Sequence, residues 1–220
     1  MVMNAELEAA RRQMISQQVR AWEVLDSRVL ETLAAVPRDR FVPDAFRAVA
    51  FADTAIPIGH GQCMLRPAIE GRILQALAPA RGECALEIGT GTGFFAACLA
   101  ALTGAADSIE IHAELAADAA RNLEAAGIER VRIETGDALD REYAPRHHVI
   151  AVTGSLPVYD PRFERGLAIG GRLFVVVGSA PVMEARLVTR TGDQSWLTET
   201  LFETVVPALV HAKAAPGFQF

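Results

Sequence analysis

The sequence has few cysteines, no long apolar run and no excess of positive charge. Its three cysteines, Cys63, Cys84 and Cys98, are scattered through 220 residues. An odd, dispersed set of this kind is not a disulfide framework and favours a reducing compartment. No segment approaches the roughly 18 apolar residues of a membrane helix, and residues 1–18 lack the apolar core of a secretory signal. We therefore expect a cytoplasmic protein with no membrane partner.

The charge and length set further limits on what the chain does. A net charge of −6 argues against a nucleic-acid partner. The length allows one domain, which we divide into a helical N-terminal cap with an active-site loop (residues 1–66) and an α/β core (residues 67–220). The five histidines show no metal-ligand spacing with the cysteines, so no metal is expected.

The N-terminal third is predicted to be mainly helical. Asp26 is placed to cap a helix that runs to Val36, where Pro37 stops it. Residues 54–66 are rich in turn-forming residues and are predicted to be irregular. Pro67 is expected to open a helix over residues 67–78.

Beyond this point strand and helix patterns alternate. Strands are predicted at residues 84–88, 107–111, 130–134, 147–152 and 173–177, and helices at 93–102, 113–126 and 160–168. This alternation predicts a mostly parallel sheet with helices on both faces. Two final strands, 183–190 and 196–206, are joined by a turn signal at 191–194, so an antiparallel hairpin is expected to close one edge. The cap is expected to lie over the carboxyl edge of this sheet.

A glycine-rich loop is the most informative local motif. Residues 85–93 read Ala-Leu-Glu-Ile-Gly-Thr-Gly-Thr-Gly, a short apolar strand that runs into Gly89, Gly91 and Gly93. Glycines at this spacing let the backbone turn sharply and approach a ligand closely. The helix that follows presents free N–H groups to that ligand. The motif predicts a nucleotide-like cofactor.

Two acidic residues follow the next strands along the chain. Glu110 ends the second predicted strand, about 20 residues beyond the glycines, where an acid accepts both hydroxyls of a ribose. Asp137, beside Ala138, follows the third strand and is placed to face an adenine amino group. Three successive strand ends therefore deliver contacts to one adenosine-like molecule.

Two classes of cofactor compete for this site. Gly91, Gly93 and Ala96 also satisfy the dinucleotide pattern, so an oxidoreductase reading stays open. Glu87 argues against it, because a carboxylate aimed at the loop repels a pyrophosphate and suits a cofactor with an ammonium and a sulfonium group. S-adenosylmethionine is such a cofactor.

The chain resembles a known family at several points. Residues 86–94 resemble motif I of the class I S-adenosylmethionine-dependent methyltransferases, and the whole chain resembles protein-L-isoaspartate O-methyltransferases over about residues 14–207. The supporting runs are Val36-Pro37-Arg38, Arg40-Phe41-Val42-Pro43, Pro57-Ile58-Gly59-His60-Gly61-Gln62, Ser108-Ile109-Glu110, Gly136-Asp137, Gly170-Gly171-Arg172-Leu173 and Val188-Thr189-Arg190-Thr191-Gly192-Asp193.

The resemblance implies a three-layer Rossmann-like methyltransferase fold and carboxyl O-methylation of isoaspartyl residues in proteins or peptides. It implies that S-adenosylmethionine is held at its methionine end by Glu87 and residues 89–93, Thr90 included, at its ribose by Glu110 and at its adenine by Asp137 and Ala138. The loop of residues 59–66 is then expected to cover the transferable methyl group. The candidate substrate-loop residues are His60, Gln62, Cys63 and Arg66.

The chain departs from the family where that loop ends. The family pattern after Gly-His-Gly-Gln is Thr-Ile-Ser, whose serine is the catalytic residue, and here Leu65 stands at the serine position. Leucine neither donates nor accepts a hydrogen bond. Two alternatives to isoaspartate methylation follow, namely a different methyl acceptor and a cofactor-binding protein without catalysis. The oligomeric state is left open.

Overall fold

The N-terminal third of the chain is helical, as expected. The computed structural model describes residues 2–214. The helical segments here are α1 (Val2–Gln13), a π-helical turn (Met14–Val19), α2 (Ser27–Ala35) and short 3₁₀ turns at Arg20–Trp22, Arg38–Arg40 and Asp44–Val49. The Asp26 carboxylate accepts a hydrogen bond from the backbone N–H of Arg28 at 2.9 Å, which confirms the predicted cap of α2.

A hairpin occupies the segment that was expected to be irregular. Strand β1 (Ile56–Gly59) pairs antiparallel with β2 (Gln62–Met64), with Pro57 opposite Cys63. Gly59, His60 and Gly61 form the turn, and all three have positive φ. The prediction was wrong because two strands this short, interrupted by a proline, carry too little alternation to reveal pairing.

A seven-stranded sheet forms the core. Its strands are β3 (Ala85–Ile88), β4 (Ala106–Glu110), β5 (Val131–Thr135), β6 (His147–Leu156), β7 (Leu167–Ser179), β8 (Val182–Gly192) and β9 (Ser195–Glu203). The order is β5-β4-β3-β6-β7-β8-β9; the first five strands are parallel, and β8 and β9 each run antiparallel to the strand before. The predicted antiparallel edge is confirmed. Strand β7 starts earlier than predicted because Leu167 already pairs with His147, so the predicted helix 160–168 shrinks to α6 (Arg162–Arg165).

The two faces of the sheet are covered unequally. Val149 and Ala151 of β6 face a core shared with α3 (Pro67–Leu77) and α4 (Phe94–Thr103), whereas Ile150 and Val152 face a second core that includes Phe163 of α6. The alternation follows from the two-residue period of a strand. Helix α5 (Ala113–Ala126) connects β4 to β5, but residues 136–146 reach β6 through a single 3₁₀ turn. The second face is therefore covered mainly by loop segments.

The N-terminal cap packs on the helical layer. Val29 and Leu33 of α2 belong to the same buried cluster as α3 and α4. Arg38 and Ile58, at the ends of the segment that leads into the β1–β2 hairpin, reach the carboxyl edge of the sheet at Phe94 and Gly91. Part of the expected cap therefore lies at that edge, whereas the apolar stripe of α2 packs against the helices α3 and α4. Within the described part of the chain, no helix is long and apolar enough to cross a membrane.

Candidate cofactor site

The site lies where the strand order reverses. Strands β3 and β6 are neighbours although two strands separate them in sequence, and their carboxyl ends form a crevice. The glycine loop that follows β3 has left-handed backbone at all three glycines, with φ of +96° at Gly89, +53° at Gly91 and +88° at Gly93. A Cβ on Gly89 would lie 2.7 Å from the Thr153 hydroxyl of β6. The predicted sharp turn into a helix is confirmed, since α4 begins at Phe94.

Two adjoining cavities open at this crevice. The outer cavity encloses about 600 Å³ of space, part of it open to solvent, and lies against the ends of β3, β4 and β5. The inner cavity lies between the glycine loop, the end of β2 and α4. Cys63, Gly89, Gly91 and Thr153 line both cavities.

Glu110 lies in the outer cavity with its carboxylate partly engaged. It accepts hydrogen bonds from the backbone N–H groups of Gly91 at 2.8 Å and His112 at 3.0 Å. A carboxylate offers about four lone-pair positions, so positions for two further hydroxyl donors remain. This arrangement fits the two hydroxyls of a ribose.

Asp137 lies at the other end of the outer cavity, with the buried Ala138 beside it. Its carboxylate accepts from the Leu139 N–H at 2.7 Å and pairs with His211 Nδ1 at 2.7 Å. Burial raises the pKa of Asp137, but the bonds from His211 and Leu139 outweigh it and hold that pKa below its ordinary value. Asp137 is therefore an ionised acceptor at neutral pH.

Glu87 and Thr90 form a buried chain of hydrogen bonds beside the inner cavity. Glu87 accepts from Ser108 Oγ at 2.6 Å, and Ser108 Oγ is 2.6 Å from Thr90 Oγ1. Burial raises the pKa of Glu87 well above its ordinary value; Ser108 opposes this, and the charges of Glu110 and Glu70 reinforce it. A cationic group in the inner cavity would stabilise the carboxylate form.

The β1–β2 turn is tied to the rim of the outer cavity. His60 Nε2 lies 3.0 Å from Glu114 Oε2, and the ring of His60 stacks on that of His112 with centroids 4.1 Å apart. Gln62 Nε2 donates to the Ala208 carbonyl at 3.2 Å. Gln62 therefore lines the outer cavity, whereas His60 lies outside both cavities and stacks on His112, which lines the outer one.

Two other substrate-loop candidates differ in their position. Cys63 lines both cavities, and burial, followed by the charge of Glu70, raises the pKa of its thiol. It is a neutral wall residue at physiological pH and not an activated nucleophile. Arg66 lines neither cavity, because its guanidinium lies 3.6 Å from Asp53 and over the ring of Trp22. The structure does not bring Arg66 to the site.

Leu65 is held at the inner cavity by a buried arginine. Arg38 donates from Nη2 to the Leu65 carbonyl at 2.7 Å and from Nε to the Ala50 carbonyl at 2.9 Å. Its Nη1 pairs with Glu70, which lines the inner cavity, and its guanidinium lies 4.8 Å from the Phe94 ring centroid. Burial raises the pKa of Glu70 to about 7, although Arg38 lowers it. Arg38 thus links the cap, the end of the hairpin and α3.

The sequence analysis did not identify Thr153 or the C-terminal residues Leu209, Val210 and His211 as part of the site. Thr153 Oγ1 donates to the carbonyls of Ile88 and Gly89 at 2.9 and 2.7 Å. Its position at the end of a predicted strand was an available signal. Leu209 and Val210 line the outer cavity only because the chain returns across the sheet edge, which no local pattern indicates.

The charges of the two cavities favour a cationic cofactor without phosphate. Carboxylates line both: Glu110 and Asp137 in the outer cavity, Glu70 and Glu87 in the inner one. Among the described residues that line them there is no arginine or lysine. A pyrophosphate would meet the carboxylates of Glu110 and Asp137 with no arginine or lysine in the lining to pair with it, whereas an ammonium and a sulfonium would be stabilised. The lining fits S-adenosylmethionine and opposes a dinucleotide. No group of His, Cys, Asp and Glu suited to a metal occurs within residues 2–214.

Comparison with known proteins places the chain in a family. The model of the family described as protein-L-isoaspartate(D-aspartate) O-methyltransferase (PCMT) matches residues 9–213. A protein-L-isoaspartate O-methyltransferase of Koribacter versatilis is 40% identical over 82% of this chain and 81% of its own length. One from Aeropyrum pernix is 37% identical over 84% and 73%.

Solved structures agree at the level of the fold. A Plasmodium falciparum structure described as a beta-aspartate methyltransferase (PCMT), in complex with S-adenosyl-L-homocysteine, has a TM-score of 0.77 and 16% identity over 90% of this chain and 97% of its own. A second structure, of a protein-L-isoaspartate O-methyltransferase, has a TM-score of 0.79 and 22% identity over 93% and 67%. The chain belongs to the protein-L-isoaspartate O-methyltransferase family.

Proposed function

We propose that this protein is an S-adenosylmethionine-dependent methyltransferase that esterifies the free carboxylate of isoaspartyl residues in damaged proteins or peptides. The observation that carries the proposal is the paired cavity at the ends of β3, β4, β5 and β6, lined by carboxylates and without arginine or lysine among its described lining. The match of the family model over residues 9–213 supports an isoaspartyl carboxylate as the methyl acceptor.

Each part of the cofactor has a matching set of groups in this chain. Glu110 keeps two acceptor positions for the ribose hydroxyls, and Asp137 is an ionised acceptor for the adenine amino group, beside the apolar wall that Ala138 forms. Glu87 and Gly89 face the methionine end in the inner cavity. When bound, the cofactor supplies a methyl group on a positively charged sulfur.

The acceptor side requires alignment more than proton transfer. A carboxylate is already ionised at neutral pH, so no general base is needed. Correct positioning alone is worth up to roughly 7–11 kcal/mol in favourable cases. The residues common to both cavities, Cys63 and Thr153 among them, surround the point where the acceptor would approach.

Leu65 favours a second candidate, a methyltransferase with another acceptor. Its side chain is buried at the inner cavity and offers no hydrogen bond to a carboxylate. A hydrogen bond to a charged group is worth about 1.5–3 kcal/mol, so its absence should slow an isoaspartyl reaction by about one to two decades. An acceptor whose nucleophilic atom needs no hydrogen bond from position 65 would not be slowed in this way.

The test compares the wild-type protein with Leu65→Ser. Transfer of labelled methyl from S-adenosylmethionine to an isoaspartyl peptide is measured for both proteins, after calorimetry with S-adenosylmethionine and with NAD. The proposal expects S-adenosylmethionine binding, slow methylation by the wild type and a gain of about tenfold or more in the variant. Labelling by neither protein despite cofactor binding would reject the isoaspartyl acceptor. Binding of NAD alone would reject the cofactor.

The cellular location is also inferred. The three cysteines are unpaired in the structure, and Cys98 is fully buried. Free thiols of this kind are usual in a reducing compartment, which supports the cytoplasm as the place of action.

A further inference from the structure

We propose that residues 206–212, here called the C-terminal strap, close over the adenine end of the outer cavity. The hydrogen bond from His211 to Asp137, here called the latch, holds the strap in this closed position and thereby sets the rate of cofactor exchange. The inference rests on the proposed function for the identity of the cofactor, S-adenosylmethionine, and of its product, S-adenosylhomocysteine. His211 acts as a positioning residue, through Asp137.

The strap is firmly anchored at its start. Ser155, at the end of β6, donates from Oγ to the Val206 carbonyl at 3.0 Å and from its backbone N–H to the Pro207 carbonyl at 2.8 Å. Its own carbonyl accepts from the Leu209 N–H at 2.9 Å. Val206 and Ser155 are both buried. These three bonds extend the sheet edge by a short parallel bridge at Ala208.

From this anchor the strap passes directly over the cofactor loop. The Leu209 side chain fills the space above two glycines: a Cβ on Gly154 would lie 2.7 Å from Leu209 Cδ2, and one on Gly89 would lie 3.9 Å from the same atom. Leu209 and Val210 form one wall of the outer cavity, on the side where Asp137 lies. An adenine in that position would be enclosed between the strap and the strand ends.

The far end of the strap is held by the side chain of His211 and by the packing of the half-buried Ala212 on the second core. The side chain of His211 is 69% exposed, and its Nδ1 donates to Asp137 Oδ2 at 2.7 Å. The proton is on Nδ1 because an ionised carboxylate only accepts. His211 has φ of +65°, a conformation that a residue with a Cβ adopts at a cost. The hydrogen bond to Asp137 holds the residue in this conformation.

A segment that opens and closes requires one fixed end and one end that can be released. The anchored part would stay in place while residues beyond Leu209 swing away, which would uncover the adenine end without unfolding the sheet. The same hydrogen bond fixes the orientation of Asp137, whose other oxygen is held by the Leu139 N–H. Loss of the His211 bond would therefore open the wall and loosen an adenine contact together.

The experiment measures the dissociation rate of labelled S-adenosylhomocysteine in wild type, His211→Ala, His211→Asn and the control Lys213→Ala. Alanine keeps a Cβ at the strained position but removes the donor. Asparagine restores a side-chain N–H donor and tolerates positive φ. Lys213 is exposed, two residues further along the same segment. Loss of this exposed hydrogen bond predicts dissociation about two- to fivefold faster in His211→Ala, with recovery in His211→Asn and no change in Lys213→Ala.

A second readout uses the protein without any cofactor. In His211→Ala the amide hydrogen of Ala212, which donates to the Leu209 carbonyl at 3.1 Å, should exchange faster. The amide of Leu209, which is anchored to Ser155, should exchange at the wild-type rate. Either unchanged Ala212 exchange or a wild-type dissociation rate in His211→Ala would overturn the latch. Equal acceleration at Leu209 would also overturn it, since the strap would then move as a whole.

The two proposals fail in different ways. If the wild-type protein does not bind S-adenosylhomocysteine, the proposed function is wrong. If it binds and His211→Ala releases the ligand at the wild-type rate, the latch is wrong and the function stands.

Discussion

Replacing Arg38 with methionine tests the buried network that supports the acceptor side of the site. Arg38 has no exposed surface, pairs with the buried Glu70, and donates to the carbonyls of Ala50 and Leu65. Methionine fills much of the volume but leaves the Glu70 carboxylate unpaired. Removing one partner of a buried ion pair costs about 3–5 kcal/mol. We expect a loss of this size in the free energy of unfolding, measured by urea denaturation.

The pH dependence of this loss follows from Glu70. Burial raises the pKa of Glu70 to about 7 in the presence of Arg38, which lowers it; without Arg38 the pKa moves further upward. A carboxyl group with a raised folded-state pKa stabilises the fold below its unfolded value, and that stabilisation is lost as the pH rises. The deficit of Arg38→Met should therefore be larger at about pH 8 than at about pH 5.

A second substitution serves as the control. Arg38→Met/Glu70→Leu removes both charges, and an apolar pair in place of a buried ion pair is often neutral or stabilising. We expect the double variant to recover the part of the loss that comes from the unpaired carboxylate, while the carbonyls of Ala50 and Leu65 still lack their donor. A loss below about 1 kcal/mol in the single variant, or a double variant no more stable than the single one, would refute the reasoning.

Three further predictions follow from single contacts. Gly89→Ala places a Cβ at φ of +96° and 2.7 Å from the Thr153 hydroxyl. The substitution should lower the free energy of unfolding by about 1–3 kcal/mol in thermal denaturation and weaken S-adenosylmethionine binding in calorimetry. Wild-type affinity would contradict the tight turn. His112→Leu removes a buried Nε2 that has no hydrogen-bond partner within residues 2–214, and it should be neutral or stabilise by up to about 1 kcal/mol. The matched His148→Leu leaves the Cys84 N–H without its acceptor and should destabilise by about 1–3 kcal/mol. Equal effects of the two variants in thermal unfolding would contradict this difference. Burial raises the pKa of Glu83, but two bonds from Arg172 and one from the Ala80 N–H hold this pKa below its ordinary value. The ionised Glu83 therefore stabilises the fold at a pH above its ordinary pKa, and this stabilisation is lost as the pH falls. Glu83→Gln should thus cost about 1 kcal/mol at neutral pH and much less at about pH 3, and a deficit that does not change with pH in urea denaturation would contradict the ion pair.

Features encoded in a few adjacent residues could be predicted from the sequence. The glycine loop, the Asp26 cap, the Pro67 helix start and the alternating core strands all depend on local backbone chemistry. Glu110 and Asp137 followed from the rule that ligands bind at the carboxyl ends of parallel strands. These residues do line one cavity.

Features that depend on distant partners could not be predicted in this way. Arg38 and Glu70 are 32 positions apart, and the Ser155–Val206 contact spans 51 positions. The strap lies over Gly89 and Gly154 because of that long-range anchor, and no periodicity in residues 204–212 indicates it. Arg66 was a candidate for the substrate loop, but its guanidinium pairs with the Asp53 carboxylate and lies over the Trp22 ring, and both partners are distant in sequence.

The central claim is that the acidic double cavity serves methyl transfer from S-adenosylmethionine to an isoaspartyl carboxylate. The most direct measurement is the incorporation of labelled methyl by the wild-type protein into two peptides of one sequence, which differ only in an isoaspartyl or an ordinary aspartyl linkage. The account predicts label in the isoaspartyl peptide alone, as a base-labile ester. Saturable binding of S-adenosylmethionine with no label in either peptide, or equal label in both, would contradict it.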